Sequence, residues 1–350
     1  MVRSRPSTAL ALVVVSVATV LLAMAGCGSG EETPAAPSPP DVSAIPHPET
    51  QHMEVPVKER FDQVREALER EPGSDKAWGA YGALCDSHSF YECADYAYSR
   101  AQELGPGDFR WFYLRAFVGE VSGAASDRVV EDYRTAARLE PRLPTTYYRL
   151  GEAATRAGLL DEAEQAYRSA LAVDPNLVVA RRGLGQVLLA KGDAGGAVEE
   201  LQRAVELGAR RNAATLASLA RAQQRLGDST AAEATAVRAA EADEEIPVPD
   251  PVRLRVREMN LSSKECNHRA VQLIQAGRYE EALVLMRIVE RTLPDRPSTH
   301  YRIGLCLVRS GKLAEGLPRL ERAAELAPDN EIVRVELERA RAELSGADGR

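Results

Sequence analysis

Apolar side chains recur along most of this chain at the spacing of amphipathic helices, and the predicted helices come in pairs. Each pair consists of two helices of about 13 residues joined by a short turn. The pattern therefore predicts a protein built from repeated helix pairs. A glycine often marks the turn, at Gly123, Gly158, Gly192, Gly227, Gly277 and Gly311.

Small residues keep these pairs in one register. Their first column, aligned on a Leu-Gly motif, advances in steps of 34 or 35 residues, apart from one step of 50. Because only glycine or alanine lets two helix axes approach to about 8 Å, the column predicts where paired helices cross. Its members are Gly82, Ala116, Gly151, Gly185, Ala220, Ala270 and Gly304.

These columns resemble the tetratricopeptide repeat, in which W-x2-L-G-x2-Y precedes an alanine, an aromatic residue, an alanine and a proline. The resemblance covers residues 75–330 and is best over residues 75–108. It implies an all-α fold, a right-handed α-solenoid whose first helices line a concave groove. The best match is carried by Trp78, Gly82, Ala94, Tyr98, Ala101 and Pro106.

The repeats predict how the chain is divided. Residues 57–246 form an array of repeats behind a leading helix, and residues 263–346 form two further repeats with a capping helix. Residues 247–262 are a proline-containing insert between them. Residues 1–26 are interpreted as a signal peptide and residues 27–56 as a disordered linker, since the latter are rich in Pro, Ser, Gly and Glu.

The insert allows two interpretations of structure and two of role. Val252, Leu254 and Val256 alternate with arginines, which fits a strand as well as a short helix. The segment is either a linker that lets the last two repeats kink away, or a cover for the groove that presents arginines to a partner.

The N-terminus has the order of an export signal, with arginines, then an apolar run from Ala9 to Ala25, then small residues before Cys27. The ending Met24-Ala25-Gly26-Cys27 resembles a bacterial lipobox, which implies acylation of Cys27. The alternative is an ordinary A-x-A cleavage site that releases a soluble protein. We expect a lipid-anchored protein on the extracytoplasmic side of a membrane, or else a secreted or periplasmic one.

Charge and motifs narrow the function. The formal net charge of −8 disfavours nucleic acid as a partner. The chain has no Gly-rich phosphate loop, G-x-S-x-G, S-x-x-K, H-E-x-x-H or C-x-x-C motif. We therefore predict a protein that is not an enzyme and needs no cofactor.

The cysteines carry two further predictions. Cys85 and Cys93 flank one predicted turn, so they form either a disulfide or two buried free thiols. Repeat packing places Cys266 and Cys306 near histidines, and we interpret these residues as core residues rather than a metal site.

The resemblance also implies a binding surface for a protein or peptide on the concave side. The predicted function is a non-catalytic interaction scaffold of the bacterial cell envelope. The alternative is an accessory or assembly subunit of an envelope enzyme, secretion or outer-membrane machine. Carried onto this sequence, the groove positions are Arg110, Tyr113, Phe117, Tyr148, Glu152, Arg182, Gln186, Arg221, Asn267 and Tyr301.

Overall fold

The structure, a computed structural model, describes residues 45–347. The predicted signal peptide, Cys27 and the linker up to residue 44 lie outside the described residues. Helices are the only regular secondary structure among residues 45–347, as the repeat pattern predicts. Its helices are α1 (Val55–Arg70), α2 (Asp75–Ser87), α3 (Tyr91–Leu104), α4 (Phe109–Ser122), α5 (Ser126–Leu139), α6 (Pro144–Arg156), α7 (Leu160–Val173), α8 (Val178–Lys191), α9 (Ala194–Glu206), α10 (Ala213–Arg225), α11 (Ser229–Ala240), α12 (Pro251–Glu258), α13 (Ser263–Gln275), α14 (Tyr279–Thr292), α15 (Pro297–Arg309), α16 (Leu313–Leu326) and α17 (Glu331–Ala347).

Local sequence explains where these helices begin and end. At the start of α4 the Asp108 carboxylate accepts a hydrogen bond from the backbone N–H of Arg110 at 3.1 Å, which satisfies a free donor of the first turn. At its end Gly123 adopts a left-handed conformation with φ of 77°, which glycine adopts without steric cost. Short turns of this kind keep paired helices antiparallel.

The small-residue column lies where the paired helices meet. A Cβ atom added to Gly151 would stand 2.7 Å from the ring of Tyr167 on the partner helix. At the equivalent place in the next repeat, a Cβ on Gly185 would stand 2.6 Å from Leu201. Both distances are shorter than packed carbon atoms tolerate. The column therefore exists because a large side chain of the second helix fills the space beside it.

Helices α2 to α11 stack as five consecutive pairs, which we call the first array. Neighbouring first helices contact each other, at α2 with α4, α6 with α8, and α8 with α10. These helices therefore line one side of the array, which corresponds to the concave surface of such repeat arrays. The all-α repeat fold is confirmed.

The last two repeats pack beside the beginning of the first array. Helix α14 contacts α1, and Arg291 of α14 pairs with Glu59 of α1 at 2.6 Å. The Ser263 hydroxyl, at the start of α13, donates to Glu54 just before α1 at 2.7 Å. Between α11 and α13 the chain must therefore run back to the end of the first array at which α1 lies.

Residues 45–54, predicted as part of a disordered linker, make specific contacts with α2. Ile45 is buried, and the His47 ring nitrogen Nδ1 lies 3.0 Å from the hydroxyl of Tyr81. The Tyr81 hydroxyl also donates to the carbonyl of Pro46 at 3.2 Å. Burial raises the pKa of Tyr81 to about 12. This part of the predicted linker is ordered because it covers Tyr81 and gives its hydroxyl partners.

Among residues 45–347, no helix combines the length and the apolar character that a membrane span requires.

Candidate functional site: a strap across the concave groove

Residues 244–260, which we call the strap, run back along the concave surface from α10 towards α2. At the α10 end, the Glu244 backbone N–H donates to the carbonyl of Arg211 at 3.0 Å. The Asn212 amide returns a bond to the carbonyl of Glu244 at 2.9 Å. Ile246 and Val248 then pack against the apolar cluster around the start of α8. The strap thus follows the repeats in reverse order.

The middle of the strap is held by polar groups of α4 and α6. The Thr145 hydroxyl donates to the carbonyl of Pro249. The Asp250 carboxylate accepts from the Tyr113 hydroxyl at 2.5 Å and from Arg149 at 3.4 Å. Tyr113 is fully buried there, and burial together with the charge of Asp250 raises its pKa. The same carboxylate caps α12 by accepting from the N–H of Arg253 at 2.9 Å.

Arg253 inserts into the groove between α2 and α4. Its guanidinium pairs with Asp86, whose side chain is entirely buried, and lies 3.8 Å from the centre of the Phe117 ring. The Tyr98 hydroxyl donates to the same Asp86 oxygen at 3.3 Å. Burial raises the pKa of Asp86, although Arg253 and Tyr98 act in the opposite direction. Arg253 is therefore the counter-ion that permits a charged carboxylate at this depth.

The insert is a helix, and its apolar side faces the wall of the groove. Val252 and Val256, four residues apart, are buried, while Leu254 between them is 55% exposed. That spacing is helical, so the alternation of valine and arginine does not indicate a strand here. Beyond α12 the Asn260 amide donates to the carbonyl of Ser87 at 2.6 Å, at the end of α2.

A cavity of about 660 Å³ remains between α12 and the wall formed by α2 and α4. The ring of Trp111 lies against Gly79, and its indole N–H donates to Asp75 at 3.1 Å. The guanidinium of Arg110 stacks 4.9 Å from that ring. Because α12 forms one side of the cavity, it exists only while the strap is docked. Its apolar lining includes Ala80, Ala83, Leu114, Leu143, Val252 and Val256.

The concave surface of α8 and α10 has a different character. Gln186 and Arg221 both donate to the hydroxyl of Ser218, each at 3.1 Å. Arg221 and Gln224 are exposed and line a shallow trough between the two helices. These contacts are local, and the strap passes along one end of the helices without crossing this trough. This part of the groove is open.

Comparisons with known proteins agree with this architecture. The tetratricopeptide repeat family model matches residues 130–178, 148–214 and 269–331. Residues 130–214 and 269–331 therefore match tetratricopeptide repeats. Arrays of such repeats generally mediate protein–protein interaction through their concave surface.

One curated relative is the small glutamine-rich tetratricopeptide repeat-containing protein 2 of Mycosarcoma maydis, which is 33% identical over 105 residues. The match covers 30% of this chain and 30% of that protein.

Two solved structures resemble parts of this chain. The crystal structure of MamA shares 18% identity with a TM-score of 0.45, and the match covers 50% of this chain and 98% of MamA. That of YrrB, titled a TPR protein with an unusual peptide-binding site, shares 18% identity with a TM-score of 0.33. The match covers 69% of this chain and 98% of YrrB.

The predicted groove residues fall into separate groups in the structure. Tyr113 and Phe117 contact the strap, so they are not part of an open surface. Tyr148 is 3% exposed and packs against the ring of Tyr167. Glu152 is held by the Tyr167 hydroxyl at 2.7 Å. Burial follows because these aromatic rings fill the space between adjacent repeats.

The other predicted positions are partly or fully accessible. Arg110 and Arg221 are exposed, and Arg182 and Gln186 are half-buried. In the last two repeats, the Asn267 side chain accepts from Arg302 at 2.9 Å, and Tyr301 packs beside the apolar cluster of α16 and α17. Their binding roles stay predictions.

The cysteines occupy the positions that repeat packing implies. Cys85 and Cys93 form a disulfide across the turn between α2 and α3, with Cα atoms 6.0 Å apart. Cys266 and Cys306 are buried free thiols, and burial raises the pKa of each to about 11. Residues 45–347 contain no group of three or more His, Cys, Asp or Glu side chains placed to hold a metal ion.

Arg149 and Asp250 were not predicted from the sequence. Together with Asp86 and Arg253 they build the polar contacts of the strap. One signal was present, because Asp250 followed by Pro251 is a typical helix start, with an N-cap acid and proline in the first turn. The pairing of these residues is not periodic, so the repeat pattern does not contain it.

Proposed function

We propose that this protein is a non-catalytic interaction protein of the bacterial cell envelope, which binds a segment of a partner protein along its concave surface. One observation carries the proposal. The groove already holds a polypeptide, the strap, through side chains contributed by successive first helices. A surface that binds a segment of its own chain in this way has the polar and apolar contacts that peptide recognition needs.

The open half of the groove is the first contact surface for a partner. Arg221 and Gln224 are exposed there, and Gln186 and Arg182 lie beside them on α8. Guanidinium and amide groups on a rigid helical wall suit a peptide backbone and acidic side chains.

Site-specific photo-cross-linking tests this surface. A photoreactive residue at Gln224 should give a discrete cross-linked product in intact cells, because this side chain lies in the trough. The matched control is Gln202, which is also an exposed glutamine and lies on the second helix α9. Equal labelling from Gln202 and Gln224 would reject the concave surface as the binding site. A single stoichiometric partner would favour the accessory-subunit form of the function.

We further propose that acylated Cys27 anchors the protein to a membrane on its extracytoplasmic side. The support is the order of arginines, apolar run and small residues before Cys27. More than one acyl chain on Cys27 would give stable anchoring without a membrane span. A Cys27→Ser variant should lose metabolic labelling with an alkyne fatty acid and leave the membrane fraction. Unchanged labelling of that variant would reject the anchor.

A further inference from the structure

Two charged groups of the groove that hold the strap use only part of their hydrogen-bonding capacity. Arg253 pairs with only one oxygen of Asp86, and the other oxygen, Oδ1, has no hydrogen-bond partner among residues 45–347. Likewise Arg149 reaches Asp250 through Nη2, while its buried Nε lacks a partner within the described chain. A guanidinium and a carboxylate each prefer two parallel bonds. The groove therefore offers more hydrogen bonds than the strap uses.

Helix α12 within the strap has little apolar surface to hold it. Within α12 only Val252 and Val256 are buried, whereas Leu254 and Arg255 are exposed. A helix of eight residues has no stability of its own in water. The desolvation of a buried ion pair offsets much of its attraction, so such pairs contribute more to selectivity than to strength.

From these contacts we infer that the strap is an exchangeable internal ligand, and that the partner segment has the same chemistry. The groove assigns that chemistry: an acidic residue for Tyr113 and Arg149, then an arginine three positions later for Asp86 and Phe117. Small aliphatic residues at the Val252 and Val256 positions complete the match. This inference rests on the proposed function and adds the partner's sequence class and the segment it displaces.

Exchange of this kind makes a clear prediction for binding strength. A tethered segment acts at an effective concentration on the order of millimolar, so a free peptide competes poorly while the strap is docked. Releasing the strap should restore the intrinsic affinity of the groove. This gain in affinity can be measured with a free peptide of the strap's own sequence, because the peptide and the strap compete for the same site.

The test uses the full chain and a fluorescent synthetic peptide of residues 246–260, with binding followed by anisotropy. Arg253→Glu in the protein places a second carboxylate against Asp86 and should expel the strap. This variant should bind the peptide at least ten-fold more tightly than the unchanged protein. The matched control is Arg255→Glu, the same change at a side chain that is 83% exposed, which should bind like the unchanged protein.

Specificity is tested with the peptide. A peptide that carries Arg253→Glu should bind the Arg253→Glu protein at least ten-fold more weakly than the natural peptide does. If the Arg253→Glu protein loses helicity by circular dichroism, Asp250→Lys replaces it, because a lysine facing Arg149 also expels the strap and leaves the groove wall unchanged.

Two results would overturn the inference. Equal binding of the natural peptide to the unchanged and strap-released proteins would place the peptide outside the part of the groove that the strap occupies. Absence of binding to a folded strap-released protein would show that the groove does not recognise this chemistry. Neither result affects cross-linking through Gln224, so failure of the inference is distinguishable from failure of the proposed function.

Discussion

The two halves of the concave surface share one repeat geometry and differ in what covers them. In the half formed by α2, α4 and α6, Asp86 and Tyr113 are buried beneath the strap. In the half formed by α8 and α10, Arg221 and Gln224 face the open trough. Groove positions of a repeat array are therefore not equivalent. Whether such a residue binds a partner depends on where the rest of the chain runs.

Removal of the charge of Arg253, in the covered half, should have the largest effect on the free energy of unfolding. An Arg253→Gln variant leaves Asp86 buried without its counter-ion, which typically costs about 3–5 kcal/mol. Urea unfolding should report this loss of free energy. The measured loss cannot exceed the free energy with which the strap docks in the groove. Arg255→Gln is the control and should change the free energy of unfolding by less than ~0.5 kcal/mol, since its ion pair with Glu258 is exposed.

The same variant should also acquire a characteristic pH dependence. Without Arg253, the pKa of Asp86 rises further above its ordinary value of 3.8. A folded state that holds this proton more tightly than the unfolded state loses stability as pH rises. The stability deficit should therefore be smallest at and below pH 3.8, grow as pH rises towards the raised pKa, and level off above it. A deficit that shrinks with rising pH would contradict the assignment of a charged Asp86 to this contact.

Loss of the disulfide should have the next largest effect, because it closes the turn under the strapped half. For the loop between Cys85 and Cys93, chain entropy predicts a loss of about 2–3 kcal/mol in the free energy of unfolding. A Cys85→Ala, Cys93→Ala variant should show this loss, and a reducing agent should then have no further effect. Alkylation of both thiols in non-reduced protein would show that the bond is absent.

The turn at Ser89 offers a smaller change in the opposite direction. Ser89 occupies the place that glycine holds in the other turns and adopts φ of 65° there. Ser89→Gly should stabilise the protein by up to about 1 kcal/mol, because a non-glycine residue is strained in this conformation. The reverse change, Gly158→Ser, tests the same argument at a turn with φ of 76° and should destabilise the protein.

The smallest effect is expected in the open half. Arg221→Ala should change the free energy of unfolding by less than ~0.5 kcal/mol, because the side chain is exposed and its bonds are local. It should nevertheless weaken the cross-linked product obtained through Gln224. A variant that unfolds the array would show that this half has a structural rather than a binding role.

The sequence predicts the repeats well because their cause is local and periodic. Gly151 and Gly185 each lie opposite a large side chain of the paired helix, and the same requirement recurs about every 34 residues. The turn glycines follow from the same logic. Helix pairing and register can both be inferred from these columns.

The path of the strap is not predictable in the same way. Tyr113 and Asp250 are 137 residues apart, and Asp86 and Arg253 are 167 residues apart. Such pairs occur once and leave no period in the sequence. Over so few residues, alternating valine and arginine also fit a strand and a helix equally. In the structure, the burial of Val252 and Val256 with Leu254 exposed between them decides for the helix.

Hydrogen–deuterium exchange of α12 in the full chain tests the central claim most directly. A free helix of eight residues unfolds too readily to protect its amides, so any protection must come from docking in the groove. We predict that the backbone amides of residues 254–258 exchange at least a hundred-fold more slowly than in an unstructured peptide. Arg253→Glu should abolish that protection. Exchange of these amides at the unprotected rate in the unchanged protein would contradict the docked strap.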